Sequence, residues 1–158
     1  SKVFLEAIDN KAYVRFKYLS KTHLVKPLFL FPRRSKLLLY GYDLVLNEEV
    51  EFEVRYIEDL EIETTPFIKN LHPKMLLSMR NDVEFALDNM LYVRFDYTNL
   101  KGEQSLRTIG HFNYTEDYKN YGYDREHIRG HCFLRGEERT FKLLRFDNGT
   151  VLNLSYNE

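Results

Sequence analysis

Hydrophobic residues recur along this chain with two different periods. Val14, Phe16 and Tyr18 alternate with charged residues, as do Val93, Phe95 and Tyr97, and a period of two reads as a half-buried β-strand. Just before each strand the spacing changes: Phe4, Leu5 and Ile8, and later Val83, Leu87 and Leu91, fall on one side of an amphipathic helix. The two passages are copies. Ala7-Ile8-Asp9-Asn10-Lys11-Ala12-Tyr13-Val14-Arg15-Phe16-Lys17-Tyr18 returns at a constant offset as Ala86-Leu87-Asp88-Asn89-Met90-Leu91-Tyr92-Val93-Arg94-Phe95-Asp96-Tyr97, so the chain is an internal repeat of helix followed by strand.

After the first copy, a turn at residues 19–21 leads to a strand over His23 to Phe31, where Pro27 implies an edge or a bend. A turn at Pro32 to Ser35, a buried strand from Leu37 to Leu46, a hairpin turn at residues 47–49 and a strand over Val50 to Arg55 follow, with a short strand at Asp59 to Glu63. Thr64-Thr65-Pro66 closes the first unit, and Leu71 to Leu91 reads as one long helix or two shorter ones, with Pro73 near a helix start. Leu76, Leu77, Phe85, Leu87 and Leu91 are expected in the core. The second copy repeats the order with a strand at Ser105 to Phe112, a longer polar loop at residues 113–124, a hairpin over His127 to Phe146, and a last strand at Thr150 to Ser155. The expected fold class is α+β, mainly β: two small Sm-like or SH3-like β-barrel units, each preceded by a helix, over residues 1–66 and 67–158.

The hairpin is the richest stretch. In its first strand Ile128, Gly130 and Cys132 share one face, and His127, Arg129 and His131 the other. Past the turn at residues 135–137, alternation places Arg139, Phe141, Leu143 and Arg145 on one face. Two guanidinium forks beside an aromatic and an aliphatic side chain suit phosphate or carboxylate next to a planar group. The plainer reading has the arginines paired with Glu137, Glu138 or Asp147 as solvated surface.

Charge and composition narrow the field. The formal net charge of −1 argues against a general polyanion coat, so any phosphate contact must be local. No apolar run approaches the roughly 20 residues of a membrane span, and the N-terminal residues lack a signal-peptide layout. A single cysteine, Cys132, excludes an internal disulfide and fits the reducing cytoplasm. The chain starts at Ser1 rather than Met, which is compatible with a piece of a longer protein. His131 and Cys132 are adjacent and so point to opposite faces. His23, His72, His111, His127 and His131 have no metal spacing, and there is no glycine-rich phosphate loop and no catalytic carboxylate pair. The residues therefore suggest no enzyme, no cofactor and no metal. Tyr114, Tyr118, Tyr121 and Tyr123 crowd the long loop, to stack on bases or to pack the loop and form a contact.

The second copy resembles the WYL domain, a ligand-sensing module of bacterial transcriptional regulators and of CRISPR-associated and phage-defence accessory proteins. The matching residues are Val93 to Tyr97, Ile128 to Arg135, and Glu138 to Phe146, whose Arg-Thr-Phe…Arg run is the most specific. The first copy is a more divergent relative, matched at Val14 to Tyr18, Val25 to Pro27 and Leu39 to Asp43. The Trp-Tyr-Leu tripeptide is absent, its places falling near residues 37–39 and 126–128, and the chain has no tryptophan. The resemblance implies a basic ligand site at Arg139 and Arg145, with Arg107, His127 and Arg129 as supporting donors and Phe141 or a loop tyrosine stacking. It also implies a nucleic-acid ligand (single-stranded DNA or RNA) or a nucleotide, and an attached or partner DNA-binding domain; a homodimer is compatible with it. In the first copy, Val50 and Tyr56 stand at the places of Arg139 and Arg145, and residues 48–63 carry eight carboxylates against one arginine. Only the second copy is then expected to bind the ligand. The alternative is a protein–protein interaction or dimerisation module with no small ligand, in which the arginines pair internally.

Overall fold

Alternation along each half places a row of apolar side chains on one sheet face, and the helix before it supplies the cover. The computed structural model describes residues 2–157, which divide into two compact units, residues 2–66 and 67–157. The first unit runs α1 (Lys2–Asp9), β1 (Tyr13–Tyr18), β2 (Lys21–Arg33), β3 (Lys36–Asp43), β4 (Glu48–Glu53), a 3₁₀ turn (Val54–Tyr56) and β5 (Ile57–Glu63). Its sheet is antiparallel in the order β4-β3-β2-β1-β5, and Phe4, Ala7, Val14, Phe16, Val25, Leu39 and Phe52 form its core.

The second unit runs β6 (Phe67–Asn70), α2 (Leu76–Asp88), β7 (Leu91–Thr98), β8 (Gln104–Tyr114), β9 (His127–Cys132), β10 (Glu137–Lys142), a 3₁₀ turn (Leu143–Arg145) and β11 (Phe146–Ser155). Its strand order, β10-β9-β8-β7-β11-β6, is that of the first unit with one strand added at the edge. The molecule is therefore mainly β, with two antiparallel sheets and a helix in each unit. Among the described residues no helix is long and apolar enough to cross a membrane.

The repeat extends to single interactions. The Tyr18 hydroxyl accepts a hydrogen bond from the Glu53 backbone N–H at 3.1 Å, and the Tyr97 hydroxyl accepts one from the Lys142 N–H at 3.3 Å. Phe16 meets Phe52 edge-on at 5.0 Å, and Phe95 meets Phe141 at 5.3 Å. Left-handed backbone recurs in step at Lys11 and Met90, Asn47 and Gly136, and Asp59 and Asn148. Such positions are costly for side chains other than Gly and Asn. Their recurrence shows that the turns, as well as the sheets, are duplicated.

Several expected boundaries move. The first hairpin turn lies before Glu48, because β3 ends at Asp43, whose carboxylate accepts the N–H groups of Val45 and Leu46 at 2.9 and 3.1 Å. Residues 67–70, to which the pattern assigns no element, form β6, and a single helix starts only at Leu76, so Pro73 precedes it by a turn. Helix α2 buries Met79, Val83 and Ala86, while Leu77 is 71% exposed. In α1, Phe4 and Ala7 are buried and Leu5 is exposed. Strand β10 stops at Lys142, and the 3₁₀ turn breaks the alternation. Arg139, Phe141, Leu143 and Arg145 therefore do not share an open face: Phe141 and Leu143 are core residues.

One buried acid holds the approach to α2. Asp82 is 1% exposed and accepts hydrogen bonds from the His72 backbone N–H at 3.1 Å and from His72 Nδ1 at 2.7 Å, with Lys69 Nζ at 3.2 Å. Burial pushes its carboxyl up, but the bonds from His72 and Lys69 outweigh this and hold it below the usual carboxylate range. A depressed folded pKa adds stability that is present above the unfolded value near 3.9 and is lost as pH falls through the folded value. Asp82→Asn is therefore expected to destabilise the unit by about 1–3 kcal/mol at neutral pH. The gap to wild type should narrow as pH falls through the folded value, which lies below the unfolded one. Urea unfolding at neutral and at acid pH measures it, and an equal deficit at both would contradict this account.

Candidate functional site

The β9–β10 hairpin pairs His127 with Lys142, Arg129 with Thr140 and His131 with Glu138. Ile128, Gly130 and Cys132 turn inward and are buried, so these three cross-strand pairs occupy the outer face. Arg129 donates through Nε to Glu138 at 3.2 Å and through Nη1 to the Thr140 hydroxyl at 3.0 Å. The tyrosine-rich loop lies against the other end of the face. Tyr118 stacks on the His127 ring at 4.0 Å, Tyr123 meets it edge-on at 6.1 Å, and the Lys142 ammonium sits 5.0 Å from the Tyr123 ring centre.

Helix α2 fixes that loop. Arg80 donates to the carbonyls of Asp124 and Arg125 at 2.6 and 3.1 Å, and Arg125 pairs with Glu84 at 3.2 Å. Tyr114 donates to the Arg80 carbonyl at 3.3 Å, and burial pushes its phenol up to about 12.

His127 is the electrostatic centre of this end. Its Nδ1 is the one buried side-chain nitrogen or oxygen without a hydrogen-bond partner among the described residues. A buried polar atom left unpaired costs about 1–3 kcal/mol, and its presence asks for an explanation. Burial first, and then the charges of Lys142 and Arg145, lower the pKa of the ring, opposed by Glu126. Neither Lys142 nor Arg145 has a carboxylate partner among the described residues. The site thus combines two cations without ion-pair partners among the described residues, an imidazole and two tyrosine rings.

The remaining expected site residues lie elsewhere. Arg139 is exposed, and its Nη2 donates to Glu137 at 2.7 Å. Arg107 is 7% exposed and points inward, donating through Nε to the Ser105 hydroxyl at 2.8 Å and through Nη1 to Cys132 Sγ at 3.3 Å. It lies 5.6 Å from the Phe141 ring. Phe141 is 2% exposed and packed edge-on against Phe95 and Tyr97, so its ring has no face open to a ligand. Arg145 follows β10 in the 3₁₀ turn. Hence His127 and Arg145 converge with Lys142, Arg129 continues the same face, and Arg139, Arg107 and Phe141 do not join it. Lys142 was absent from the sequence-based set. Its signal was register: with the turn at residues 133–136, Lys142 must lie opposite His127.

The same places in the first unit differ in kind. Leu38, Tyr40, Glu51 and Glu53 stand where His127, Arg129, Thr140 and Lys142 stand. The outer face of its hairpin is acidic and aromatic, with Tyr40 donating to Glu49 at 2.7 Å. Among the described residues no group of three or more His, Cys, Asp or Glu side chains could hold a metal ion. No protein-family model and no curated protein matches the chain.

Proposed function

We propose that the second unit is a ligand-sensing domain of a bacterial transcriptional regulator, of WYL type. It binds single-stranded DNA or RNA, or a nucleotide, on the outer face of the β9–β10 hairpin. Both units are small barrels of the Sm-like or SH3-like kind. The shared strand order and the 3₁₀ turn that links β4 to β5, and β10 to β11, support this architecture. The observation that carries the functional reading is the pair of cations Lys142 and Arg145, without carboxylate partners among the described residues, beside His127 and the rings of Tyr118 and Tyr123. A phosphate on this face balances the charge of Lys142 and Arg145, while tyrosine rings stack on bases. Arg129 extends the footprint, since exposed ion pairs are worth only about 0–1 kcal/mol and exchange readily for phosphate. The domain acts in the cytoplasm, and no catalytic step, cofactor or membrane contact is part of the reading. Ligand binding regulates an attached DNA-binding domain by favouring one of its arrangements.

Fluorescence anisotropy with labelled single-stranded and duplex oligonucleotides tests the proposal. Wild type should prefer single strands. A Lys142→Ala, Arg145→Ala variant should bind at least tenfold more weakly, with a salt slope lower by about 1.4, two contacts at roughly 0.7 each. Phosphodiesters stay ionised, so pH reports on His127. Burial and the charges of Lys142 and Arg145 lower the imidazole pKa; a bound anion raises it, binding takes up a proton, and affinity rises as pH falls through the imidazole's titration.

The internal pairing of Arg139 with Glu137 and of Arg129 with Glu138 favours the second reading, a protein-interaction or dimerisation module. That reading holds if wild type and variant bind none of the oligonucleotides and a concentration series shows self-association.

A further inference from the structure

The repeat sets a corner of the first unit against its counterpart in the second, and their charges are inverted. Lys17, Leu19, Ser20, Arg55, Tyr56 and Glu58 line a cavity of about 310 Å³ where the β1–β2 turn meets the 3₁₀ turn. The corresponding places in the second unit hold Asp96 for Lys17, Leu144 for Arg55 and Asp147 for Glu58, with Arg145 for Tyr56. The first-unit corner therefore carries Lys17 and Arg55 against Glu58, with Arg55 also donating through Nε to Glu53 at 2.9 Å, inside a segment that is otherwise acidic.

Three features of this corner are exposed to solvent, although Tyr56 also meets Tyr18 edge-on at 6.3 Å. Lys17 has no ion pair among the described residues, although Glu58 is its cross-strand neighbour on β5. Tyr56 is 44% exposed, with the Arg55 guanidinium 4.7 Å from its ring centre. Leu19 and Ser20 form a two-residue turn in which both have positive φ, 50° and 70°, a conformation that selects Gly or Asn. Leu19 is 72% exposed, so neither burial nor turn preference accounts for a leucine there. Strained non-glycine residues gather where a surface grips a ligand.

We propose that this corner is a second binding site, separate from the hairpin face, for a small phosphorylated planar ligand of the nucleoside monophosphate class. Lys17 and the Ser20 hydroxyl hold the phosphate, Arg55 adds a second donor through the guanidinium nitrogens that its exposed pair with Glu53 leaves open, and Tyr56 with Leu19 covers the base. The cavity matches in size the lower end of small-molecule pockets, roughly 300–1,000 Å³. Glu58, opposite Lys17, disfavours a second phosphate and so limits the charge of the ligand.

Backbone amide shift mapping of the full chain with adenosine monophosphate, and separately with inorganic phosphate, tests the proposal. Expected are saturable shifts at residues 17–20 and 55–58 that tighten at least tenfold from phosphate to the nucleotide. Lys17→Glu, on an exposed position, should abolish them while leaving the remaining amide spectrum in place. Lys142→Ala should leave them intact, which separates this site from the hairpin face. Shifts confined to the hairpin, or unchanged binding in Lys17→Glu, overturn the proposal. Equal affinity for phosphate and nucleotide removes Tyr56 from the site and overturns the assignment of a planar ligand.

Discussion

Phe95→Ala should cost the second unit about 3–5 kcal/mol, a large share of the roughly 5–15 kcal/mol that holds an ordinary domain. Phe95 is fully buried on β7. It stacks on Phe146 at 3.7 Å with the planes 7° apart, and meets Phe141 and Tyr97 edge-on at 5.3 and 6.1 Å. Truncation opens a void between β7, β10 and β11 that rigid aromatic neighbours cannot fill. Urea unfolding with amide exchange of the β7 and β11 N–H groups measures the loss, and a change below about 1 kcal/mol would mean that these rings do not form the core.

Gly130→Ala is the second large effect, for a reason of space alone. A Cβ at this position would lie 2.4 Å from Phe112 Cβ, 2.8 Å from Phe112 Cα and 2.9 Å from the Gly110 carbonyl oxygen. These atoms belong to β8 at its register shift, so they cannot swing aside and the strands must part. The cost should reach the top of the overpacking range, about 3 kcal/mol. Gly122→Ala is the control. It has φ of +83° but nothing within 4 Å of the added atom, so it bears only the left-handed backbone penalty of about 1 kcal/mol. Thermal unfolding of the two variants should separate them clearly. Equal losses would place the origin in backbone conformation rather than in the contact with Phe112. Gly41 has the same place in the first unit, where an added Cβ would meet Val25 Cγ1 at 2.5 Å and the Lys26 carbonyl oxygen at 3.0 Å.

The duplicated helix-and-strand plan and the alternation in β1, β7 and β9 were legible, because burial on one face writes itself directly into a period of two. Strand β6 was not. Four residues, Phe-Ile-Lys-Asn, at an edge, paired only through β11, carry too little pattern to distinguish them from a loop. Arg145 was misplaced because a 3₁₀ turn of three residues resets the alternation without a Gly or Pro to announce it. Phe141 was taken as an open platform because strand position alone does not say which face is covered. Its counterpart Phe52, already surrounded by apolar residues in the first unit, was the clue. The Arg129 and Lys142 face needed register, which the sequence fixes only once the turn is located.

The central claim is that the outer face of the β9–β10 hairpin, around His127, is where an anionic nucleic-acid ligand sits. Amide and imidazole shift mapping of the labelled chain with an unlabelled single-stranded oligonucleotide tests it most directly. The account expects saturable shifts at Tyr118, Tyr123, His127, Arg129, Lys142 and Arg145, with the His127 imidazole pKa moving upward on binding. An unmoved His127, with shifts confined to the β3–β4 hairpin of the first unit, would contradict it.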